Sequence, residues 1–415
     1  MKSILSSPFF NFEYVRVLGM APVHGAEVGE CLEVAARIKT DDCESWYRAW
    51  TSAAEAAETA GEEALRSKDI ETARCAFLRA CNYRRASEFM LHVSPTDTRL
   101  LGIMTKAVAN FHKAIPLFDS PIVPLEIPYE GRKLPGYLYL PAPGSTIVGD
   151  KVPVIINTNG FDSVQEELYF FTAAGARSRG YAALTFDGPG QGIVLRRDKL
   201  SIRHDWEVVI AAVVDHLYLL AKDHPEYNLD LSRVALTGAA MGGYFALRGA
   251  LDPRIKACIS TDGFYDFEAV VRDRTPFFAN LLSTAVADAV IDWVSKFRVQ
   301  LQFELGHAKL AFGTMSVSEA LRRMAALTLE PKGEKTVCSR ITCPTLVTAA
   351  RDSIYRIDAR RIFDELTQLE AGKTKEFWDP ASPGLGSLQA KAAAITHFQA
   401  KTFTWLDKVF GVERV

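Results

Sequence analysis

The chain lacks a marked net charge, because 48 basic and 50 acidic residues leave a formal charge of −2 over 415 residues. Proteins that bind nucleic acids or anionic membrane surfaces usually carry a basic excess or a basic patch. The composition therefore indicates neither a nucleic-acid partner nor a membrane partner. Hydrophobic residues make up 48% of the chain and charged residues 24%, which is ordinary for a globular protein.

Cysteine is sparse and shows no pattern. The seven cysteines form neither a CxxC pair nor a Cys/His ligand spacing, and their number is odd. A disulfide framework or a structural metal site needs paired or closely spaced ligands. We therefore expect buried thiols in a reducing compartment and no bound metal.

Long apolar runs are also lacking. No stretch approaches the roughly 20 apolar residues that span a membrane. The apolar run near the N-terminus is interrupted by Asn11, Glu13 and Arg16, so it does not fit a secretory leader. These features predict a cytoplasmic protein. Its length allows two domains or one large core with an added subdomain.

Residues 26 to about 117 have the periodicity of helices. Apolar side chains recur at spacings of three and four residues in a run after residue 42 and in a second run from Asp69 to His92. A third helical stretch covers Asp97 to Ile115. This pattern predicts a helical subdomain, residues 1–120, that buries its own apolar stripe and caps another part of the chain.

The periodicity changes to that of β-strands after Pro124. Two runs that flank Gly131 predict an antiparallel hairpin, and the later strands alternate with helices. The predicted strands are 125–129, 134–140, 152–157, 182–186, the run that begins at 234, 255–261, 345–350 and 375–378. Alternation of strands and helices after a hairpin predicts a mostly parallel, doubly wound α/β sheet.

Residues 267–340 interrupt this alternation. They contain helical runs from Ala279 to Phe303 and from Ser318 to Leu327, without a convincing strand. Insertions between strands lie where loops build binding sites. We expect a helical lid at 267–340 that covers a pocket together with the N-terminal helices. The sheet core then consists of residues 121–266 and 341–415.

The most informative stretch runs from Val234 to Leu247, with the sequence VALTGAAMGGYFAL. It joins a short apolar strand, a turn of small residues and a helix-forming segment. This order is typical of the G-x-S-x-G nucleophile elbow of α/β-hydrolases. The central position holds Ala240, whose methyl group cannot attack a carbonyl. The stretch predicts an α/β-hydrolase fold that has the elbow but lacks its nucleophile.

Two loops supply the expected partners of the elbow. The oxyanion hole of this fold uses one backbone N–H from the residue after the nucleophile and one from an earlier loop. Those positions are Met241 and Phe161, and the neighbouring Asp162 is a candidate for the pocket. Both donors are backbone groups, so they do not require a serine. Asp352, in a turn after the 345–350 strand, is the expected triad acid.

A histidine is missing where this fold usually places one. The loop before the final helix, residues 378–389, contains none. His397 lies farther on, inside the helical run from Lys391 to Phe410, and is either the base or a residue on the flank of that helix. His307, in the predicted lid, is a second candidate for the pocket.

Acidic residues near the turns complete the set of candidates. Asp187 opens the segment DGPGQG after a predicted strand and is expected to line the pocket. That segment lacks both G-x-G-x-x-G and the Walker Lys-Ser/Thr, so we expect neither a nucleotide nor another cofactor. Glu166 and Glu167 either form a charge pair at a helix N-terminus or supply a pocket acid, for which Glu167 is the candidate.

Several segments carry a resemblance that extends over nearly the whole chain. They are PFFNFEYVRVLG (8–19), SWYRAW (45–50), AFLRACNYRRASEFML (76–91), LPGYLYLP (134–141), NGFDSVQEELYF (159–170), FDGPGQG (186–192) and TGAAMGGYFALR (237–248). With these segments the chain resembles the α/β-hydrolase group that includes 2,6-dihydroxypseudooxynicotine hydrolase and fermentation-respiration-switch-like proteins. Within that group it is most similar to fungal members of polyketide pathways.

The resemblance implies a Ser-Asp-His triad that hydrolyses carbon–carbon or ester-type bonds in aromatic or polyketide-like small molecules. By position, the acid falls on Asp352, the oxyanion donors on Phe161 and Met241, and the nucleophile on Ala240. The histidine position falls close to Leu388. The resemblance also implies a homodimer, for which the aromatic residues of the N-terminal helices are expected to offer a surface.

Three explanations of the altered triad remain open. In the first, Ala240 is an engineered replacement of serine in a carbon–carbon or ester hydrolase, which leaves Leu388 unexplained. In the second, the site performs non-hydrolytic chemistry: cyclisation, a pericyclic step or an aldol-type condensation. Such chemistry requires an enclosed apolar pocket and placed donors but no nucleophile. In the third, the chain is a binding pseudoenzyme. We favour the second hypothesis.

Overall fold

The computed structural model describes residues 3–144, 147, 149, 151–274, 284–353 and 355–414. The chain forms two compact units. The helical unit comprises residues 1–118, 192–202 and 267–327, and the sheet unit comprises residues 119–191, 203–266 and 328–415, each within the described ranges. The domain boundaries expected at 120, 266 and 340 stay predictions.

The sheet unit is built on one sheet of eight strands. The strands are β1 (Ile122–Tyr129), β2 (Arg132–Tyr139), β3 (Val152–Thr158), β4 (Ala182–Phe186), β5 (Leu229–Ala239), β6 (Ala257–Thr261), β7 (Thr345–Thr348) and β8 (Lys375–Trp378). Their order is β1-β2-β4-β3-β5-β6-β7-β8. The hairpin β1-β2 is antiparallel, β2 pairs antiparallel with β4, and the other pairs are parallel. The predicted hairpin and mostly parallel sheet are confirmed.

The burial of the strands explains their sequences. Every residue of β4 and β6 is buried, as is typical of central parallel strands with both faces covered. The edge strand β1 instead alternates buried and more accessible residues, as a strand with one covered face does. The carboxyl ends of the parallel strands meet at one edge of the sheet, where ligands bind in open α/β folds.

Fifteen α-helices lie within the described residues. They are α1 (Pro8–Leu18), α2 (Val28–Arg37), α3 (Cys43–Arg66), α4 (Ile70–Phe89), α5 (Arg99–Ala114), α6 (Gln165–Leu168), α7 (Ala174–Arg177), α8 (Glu207–Asp223), α9 (Met241–Gly249), α10 (Phe267–Arg274), α11 (Thr284–Ser295), α12 (Val299–Ala311), α13 (Val317–Ala325), α14 (Arg356–Glu365) and α15 (Ile395–Phe410). A π-helical turn, Tyr169–Ala173, joins α6 to α7.

The helical unit has an aromatic core. The side chains of Phe10, Tyr14, Trp46, Trp50 and Tyr83 are almost completely buried. Trp46 contacts both Phe10 and Trp50, with ring centroids 5.2 and 5.8 Å apart. The expectation that aromatic residues of these helices present a surface to a second copy is therefore wrong for this set, because their rings pack against one another.

The N-caps fix the starts of two of these helices. The Asp42 carboxylate accepts a hydrogen bond of 2.9 Å from the Ser45 N–H at the start of α3. The Asp69 carboxylate accepts one of 3.1 Å from the Thr72 N–H at the start of α4. Each carboxylate satisfies a donor that the helix leaves without an internal partner.

Three elements differ from the sequence prediction. Helix α1 was not predicted, because apolar residues lie around its whole circumference and obscure the stripe that Phe10, Tyr14 and Val17 form. Helix α15 begins at Ile395 rather than Lys391, since Ala390, Lys391 and Ala393 have positive φ. Within the predicted helix 279–303, residues 279–283 lie outside the described residues, and α11 and α12 form the rest.

Two global features follow from the described helices and cysteines. No described helix is both long and apolar enough to cross a membrane. All seven cysteines are free, and five of them are buried.

Candidate active site

The elbow between β5 and α9 forms without a serine. Ala240 has φ 53° and ψ −116°, a conformation that L-residues adopt only where the surroundings impose it. The Ala240 N–H donates a hydrogen bond of 2.8 Å to the carbonyl oxygen of Thr261, at the end of the adjacent strand β6. The strained turn is therefore fixed by backbone contacts that do not involve the side chain of residue 240.

Glycine is required on both sides of Ala240. A Cβ added to Gly238 would lie 2.2 Å from the Gly242 carbonyl oxygen, and one added to Gly242 would lie 2.8 Å from the Thr158 carbonyl oxygen. These contacts explain why the turn is made of small residues. Because Ala240 itself is half-buried, its methyl group borders accessible space rather than the packed core.

The oxyanion loop, residues 159–163, lies directly against the elbow. A Cβ added to Gly160 would be 3.0 Å from the Ala239 carbonyl oxygen and 3.6 Å from the Gly242 nitrogen. The Met241 N–H belongs to the first turn of α9, where N–H groups have no intrahelical partner and the helix dipole is positive. The structure thus brings together the two segments that carry Phe161 and Met241.

The Gln191 side chain holds the oxyanion loop in place through hydrogen bonds to its backbone. Its Nε2 donates hydrogen bonds of 2.9 Å to the carbonyl oxygens of both Asn159 and Gly160. Its Oε1 accepts a hydrogen bond of 3.0 Å from the Gly188 N–H. The glycine-rich segment after β4 therefore supports the oxyanion loop.

Asp187 lies beneath the same loop and is completely buried. Its Oδ1 accepts hydrogen bonds from the Asn159 side-chain amide at 2.7 Å and from the Gln165 N–H at 2.8 Å. Asp162, on the loop itself, is half-buried. The geometry makes Asp187 a support for the oxyanion loop.

Glu166 is a buried acid, although the sequence analysis named its neighbour Glu167 as the candidate pocket acid. The Tyr137 hydroxyl donates a hydrogen bond of 3.0 Å to its Oε1. Among the described residues, no partner reaches its Oε2. Burial, with a smaller contribution from the charge of Asp187, raises the pKa of Glu166 to about 8. Glu166 therefore holds a proton at neutral pH. Glu167, the candidate named from the sequence, is also buried.

The segments that carry Asp352 and Leu388 are adjacent. The Asp352 N–H donates a hydrogen bond of 3.4 Å to the carbonyl oxygen of Ser387. Asp352 is exposed and Leu388 is half-buried. The positions expected for the triad acid and histidine thus come together, but the second one holds an alkyl side chain.

The two candidate histidines lie elsewhere. His397 is exposed on α15. His307 is buried in the helical unit, on α12, where its ring stacks on that of His92 with centroids 4.6 Å apart. His92 in turn lies 2.7 Å from the carboxylate of Glu88. His307 therefore belongs to a buried polar cluster of the helical unit.

A buried ion pair at the carboxyl edge of the sheet was missed by the sequence analysis. Asp262 directly follows β6, and its Oδ1 lies 2.7 Å from the Nζ of Lys391. Both side chains are completely buried. An aspartate placed directly after a buried strand was an available signal for Asp262. Nothing in the local sequence marked Lys391, which is 129 residues away.

One cluster of the described residues has ligand atoms close enough to hold a metal ion. These atoms belong to His24, Glu71 and Cys75 of the helical unit and lie within 4.8 Å of one another. Arg74 already pairs with the Glu71 carboxylate at 2.5 Å. The cluster is remote in sequence from every residue that supports the elbow.

Together, the strand order, the elbow after β5 and the oxyanion loop after β3 define an α/β-hydrolase fold. The chain belongs to the FrsA-like esterase family. The model of that family, described as "Esterase FrsA-like", matches residues 37–266.

Two curated fungal relatives support this membership over the full length. "Alpha/beta hydrolase psoB" of Aspergillus fumigatus is 46% identical over 423 residues, which cover 99% of this chain and 95% of the relative. "20-hydroxy-prefusarin hydrolase FUS2" of Gibberella moniliformis is 47% identical over 424 residues, which cover 100% of this chain and 99% of the relative.

A solved structure shows the same fold. The 2,6-dihydroxy-pseudo-oxynicotine hydrolase superposes with a TM-score of 0.70 at 22% identity, over 94% of this chain and 95% of that chain. The family and the fold expected from the sequence are therefore confirmed.

Proposed function

We propose that this protein is an enzyme of secondary metabolism that converts a polyketide-like small molecule without hydrolysing it. The reaction class is a cyclisation, a pericyclic step or an aldol-type condensation. The observation that carries this proposal is Ala240, which occupies the elbow conformation without a nucleophilic atom. An acyl-enzyme cannot form at a methyl group, whereas the backbone around it is arranged as in a hydrolase.

The backbone donors and the oxyanion loop of this site suit such chemistry. Backbone N–H groups at Phe161 and Met241 can stabilise the negative charge that develops on a carbonyl oxygen when it becomes an enolate or alkoxide. The hydrogen bonds of Gln191 and Asp187 hold the oxyanion loop in place, so these donors need little reorganisation. Holding one flexible molecule in a reactive conformation can by itself lower a barrier substantially.

The substrate class is inferred from the relatives. One relative at 47% identity is named for its action on 20-hydroxy-prefusarin. We infer a related small organic molecule for this chain, handled without a metal or cofactor. The reaction should therefore proceed unchanged in the presence of a chelator.

Hydrolysis is the second candidate, and the names of the relatives favour it. Two proteins at 46% and 47% identity are called hydrolases. In this alternative, Ala240 replaces the serine of a carbon–carbon or ester hydrolase, and the chain as it stands binds its substrate but turns it over slowly.

Mass analysis of a reaction separates the two candidates. The purified chain is incubated with a linear polyketide that carries an aldehyde and an activated methylene group, and the products are followed by liquid chromatography and mass spectrometry. The proposal predicts a faster appearance of a product of unchanged mass or, for condensation, of a product that has lost one water. A shorter product that has gained water would overturn it, and binding without turnover would indicate a pseudoenzyme.

A further inference from the structure

Backbone strain is concentrated beside the elbow. Eleven non-glycine residues of the described chain have positive φ, and five of these lie at the elbow, directly after β6 or in the loop before α15. The five are Ala240 (53°), Asp262 (52°), Ala390 (53°), Lys391 (58°) and Ala393 (64°). Such residues persist where surrounding contacts over-determine the backbone, and they cluster at functional sites.

The buried pair of Asp262 and Lys391 supplies those contacts. The Oδ1 of Asp262 accepts hydrogen bonds from Lys391 Nζ at 2.7 Å and from the Thr348 hydroxyl at 2.8 Å. Its Oδ2 accepts one of 2.8 Å from the Ala390 N–H. The Lys391 Nζ also donates to the Ala349 carbonyl oxygen at 2.8 Å. The pair therefore ties the loop before α15 to the ends of both β6 and β7.

The same pair is connected to the elbow through the backbone. The Ala240 N–H donates to the carbonyl oxygen of Thr261, the residue that precedes Asp262. A Cβ added to Gly243, on the first turn of α9, would lie 2.9 Å from the Cα of Gly263, the residue after Asp262. The two residues that flank Asp262, Thr261 and Gly263, therefore both contact the elbow.

A buried ion pair generally adds little net stability to a fold. Two buried charges lose their hydration, and well-packed apolar residues of similar volume often stabilise a fold equally well. Burial lowers the pKa of the Lys391 amine, and the charge of Asp262 opposes that shift. Because the two charges are opposite, the ion pair as a whole adds no net charge next to the backbone that contacts the elbow.

We propose that Asp262 and Lys391 form a positioning pair that replaces the acid–histidine link of a hydrolase: it holds residues 388–394 beside the elbow and leaves no net charge next to residue 240. The pair contacts no reacting atom in this scheme. The proposal does not depend on whether the enzyme cyclises or hydrolyses its substrate.

A thiol probe at the elbow tests the pair. In an Ala240→Cys background, the rate of alkylation of that thiol by iodoacetamide is measured against pH by peptide mass spectrometry, which gives the pKa of the thiol. Lys391→Met leaves the Asp262 charge unpaired, so we expect the pKa of the thiol to rise by about one unit. Alkylation at neutral pH should then slow about tenfold.

Three comparisons make the result specific. The Asp262→Asn variant should not raise the pKa of the thiol, and the Asp262→Asn/Lys391→Met double variant should alkylate within about twofold of the parent rate. Lys401→Met, which removes a surface partner of Glu376, should have no effect. A change of less than twofold in Lys391→Met, or a double variant as slow as that single variant, would overturn the proposal.

Hydrogen exchange of the unsubstituted protein covers the case in which Lys391→Met does not fold. The amide of Ala390 donates to Asp262 and should exchange slowly. Exchange of that amide at the rate of an open loop would also overturn the proposal.

Discussion

Ala240 has the backbone conformation of a nucleophile elbow but not its reactive side chain. The positive φ of Ala240 costs about 1–3 kcal/mol in general and persists here because Gly238, Gly242 and Thr261 hold the turn. A side chain that reacts is not needed for that backbone to form. The site can therefore lose its hydroxyl group without losing the geometry of the turn.

The first prediction concerns restoration of hydrolysis. Ala240→Ser alone should not raise hydrolysis of p-nitrophenyl esters above background, because Leu388 leaves the serine without a base. Ala240→Ser/Leu388→His should raise the rate by ~10²-fold or more over the single variant, the usual contribution of a general base. His397→Ala in the double variant is the control and should change nothing. Efficient hydrolysis by Ala240→Ser alone would instead support the view that one serine was replaced.

The second prediction concerns the pH dependence of stability. The pKa of Glu166 is raised to about 8 in the folded chain from an ordinary value of 4.5, so folded Glu166 binds more protons between these pH values. Its contribution to stability is complete below about pH 4.5, falls as pH rises through 8 and is lost above it. The decline is at most ~1.4 kcal/mol per pH unit.

Glu166→Gln imitates the protonated acid and tests this effect. Urea unfolding at pH 5, 6.5 and 8 should show a shallower loss of free energy of unfolding in Glu166→Gln than in the parent chain. Parallel pH profiles of the two proteins would show that Glu166 is not a proton-holding group.

At the scale of elements, local sequence patterns were sufficient for most of the sheet. The runs 182–186 and 375–378 were predicted with the bounds that β4 and β8 have, because buried strands and their turns are encoded locally. The start of α15 was misplaced at Lys391, since that residue adopts positive φ through contacts with Asp262, far away in sequence. No local periodicity carries such a contact.

The same reasoning applies to the candidate site. The elbow and the oxyanion loop follow from motifs of adjacent residues, so Ala240, Phe161 and Met241 were named from the sequence. The partners of Lys391 and the buried state of Glu166 depend on residues that only the fold brings together. Their roles were therefore not predictable from one sequence.

The third prediction tests the packing of the elbow. Gly238→Ala should lower the free energy of unfolding by about 2–3 kcal/mol, because the new methyl group would lie 2.2 Å from a backbone oxygen. Gly102→Ala is the matched control on α5, where nothing lies within 4 Å of the added Cβ. It should stabilise the chain by ~0.5–1 kcal/mol through helix propensity. Equal effects in chemical unfolding would contradict the packing described for the elbow.

At the scale of the whole molecule, the net charge of −2 offers no general electrostatic attraction between copies of the chain. A homodimer would have to form through a specific surface. The aromatic side chains of Phe10, Tyr14, Trp46, Trp50 and Tyr83 pack inside the helical unit and are not available for it. The exposed apolar side chains include Trp293 and Phe297, next to the end of α11. The homodimer stays a prediction that rests on family resemblance.

The fourth prediction is the mass of the protein in solution. Sedimentation equilibrium should give about twice the 45.9 kDa of one chain at micromolar concentration. A mass of one chain over the whole concentration range would show that the predicted homodimer does not form. No retention on anionic lipid vesicles is expected at either mass, since the chain carries no basic excess.

The central claim, conversion without hydrolysis at an elbow that lacks a nucleophile, is tested most directly by isotope transfer from water. The purified chain is incubated with the linear polyketide probe in H₂¹⁸O, and the products are analysed by mass spectrometry. The account predicts an isomer or a dehydrated cyclic product without added water, beyond the carbonyl exchange seen in an enzyme-free control. A cleavage product that carries ¹⁸O in a new carboxyl group would contradict it.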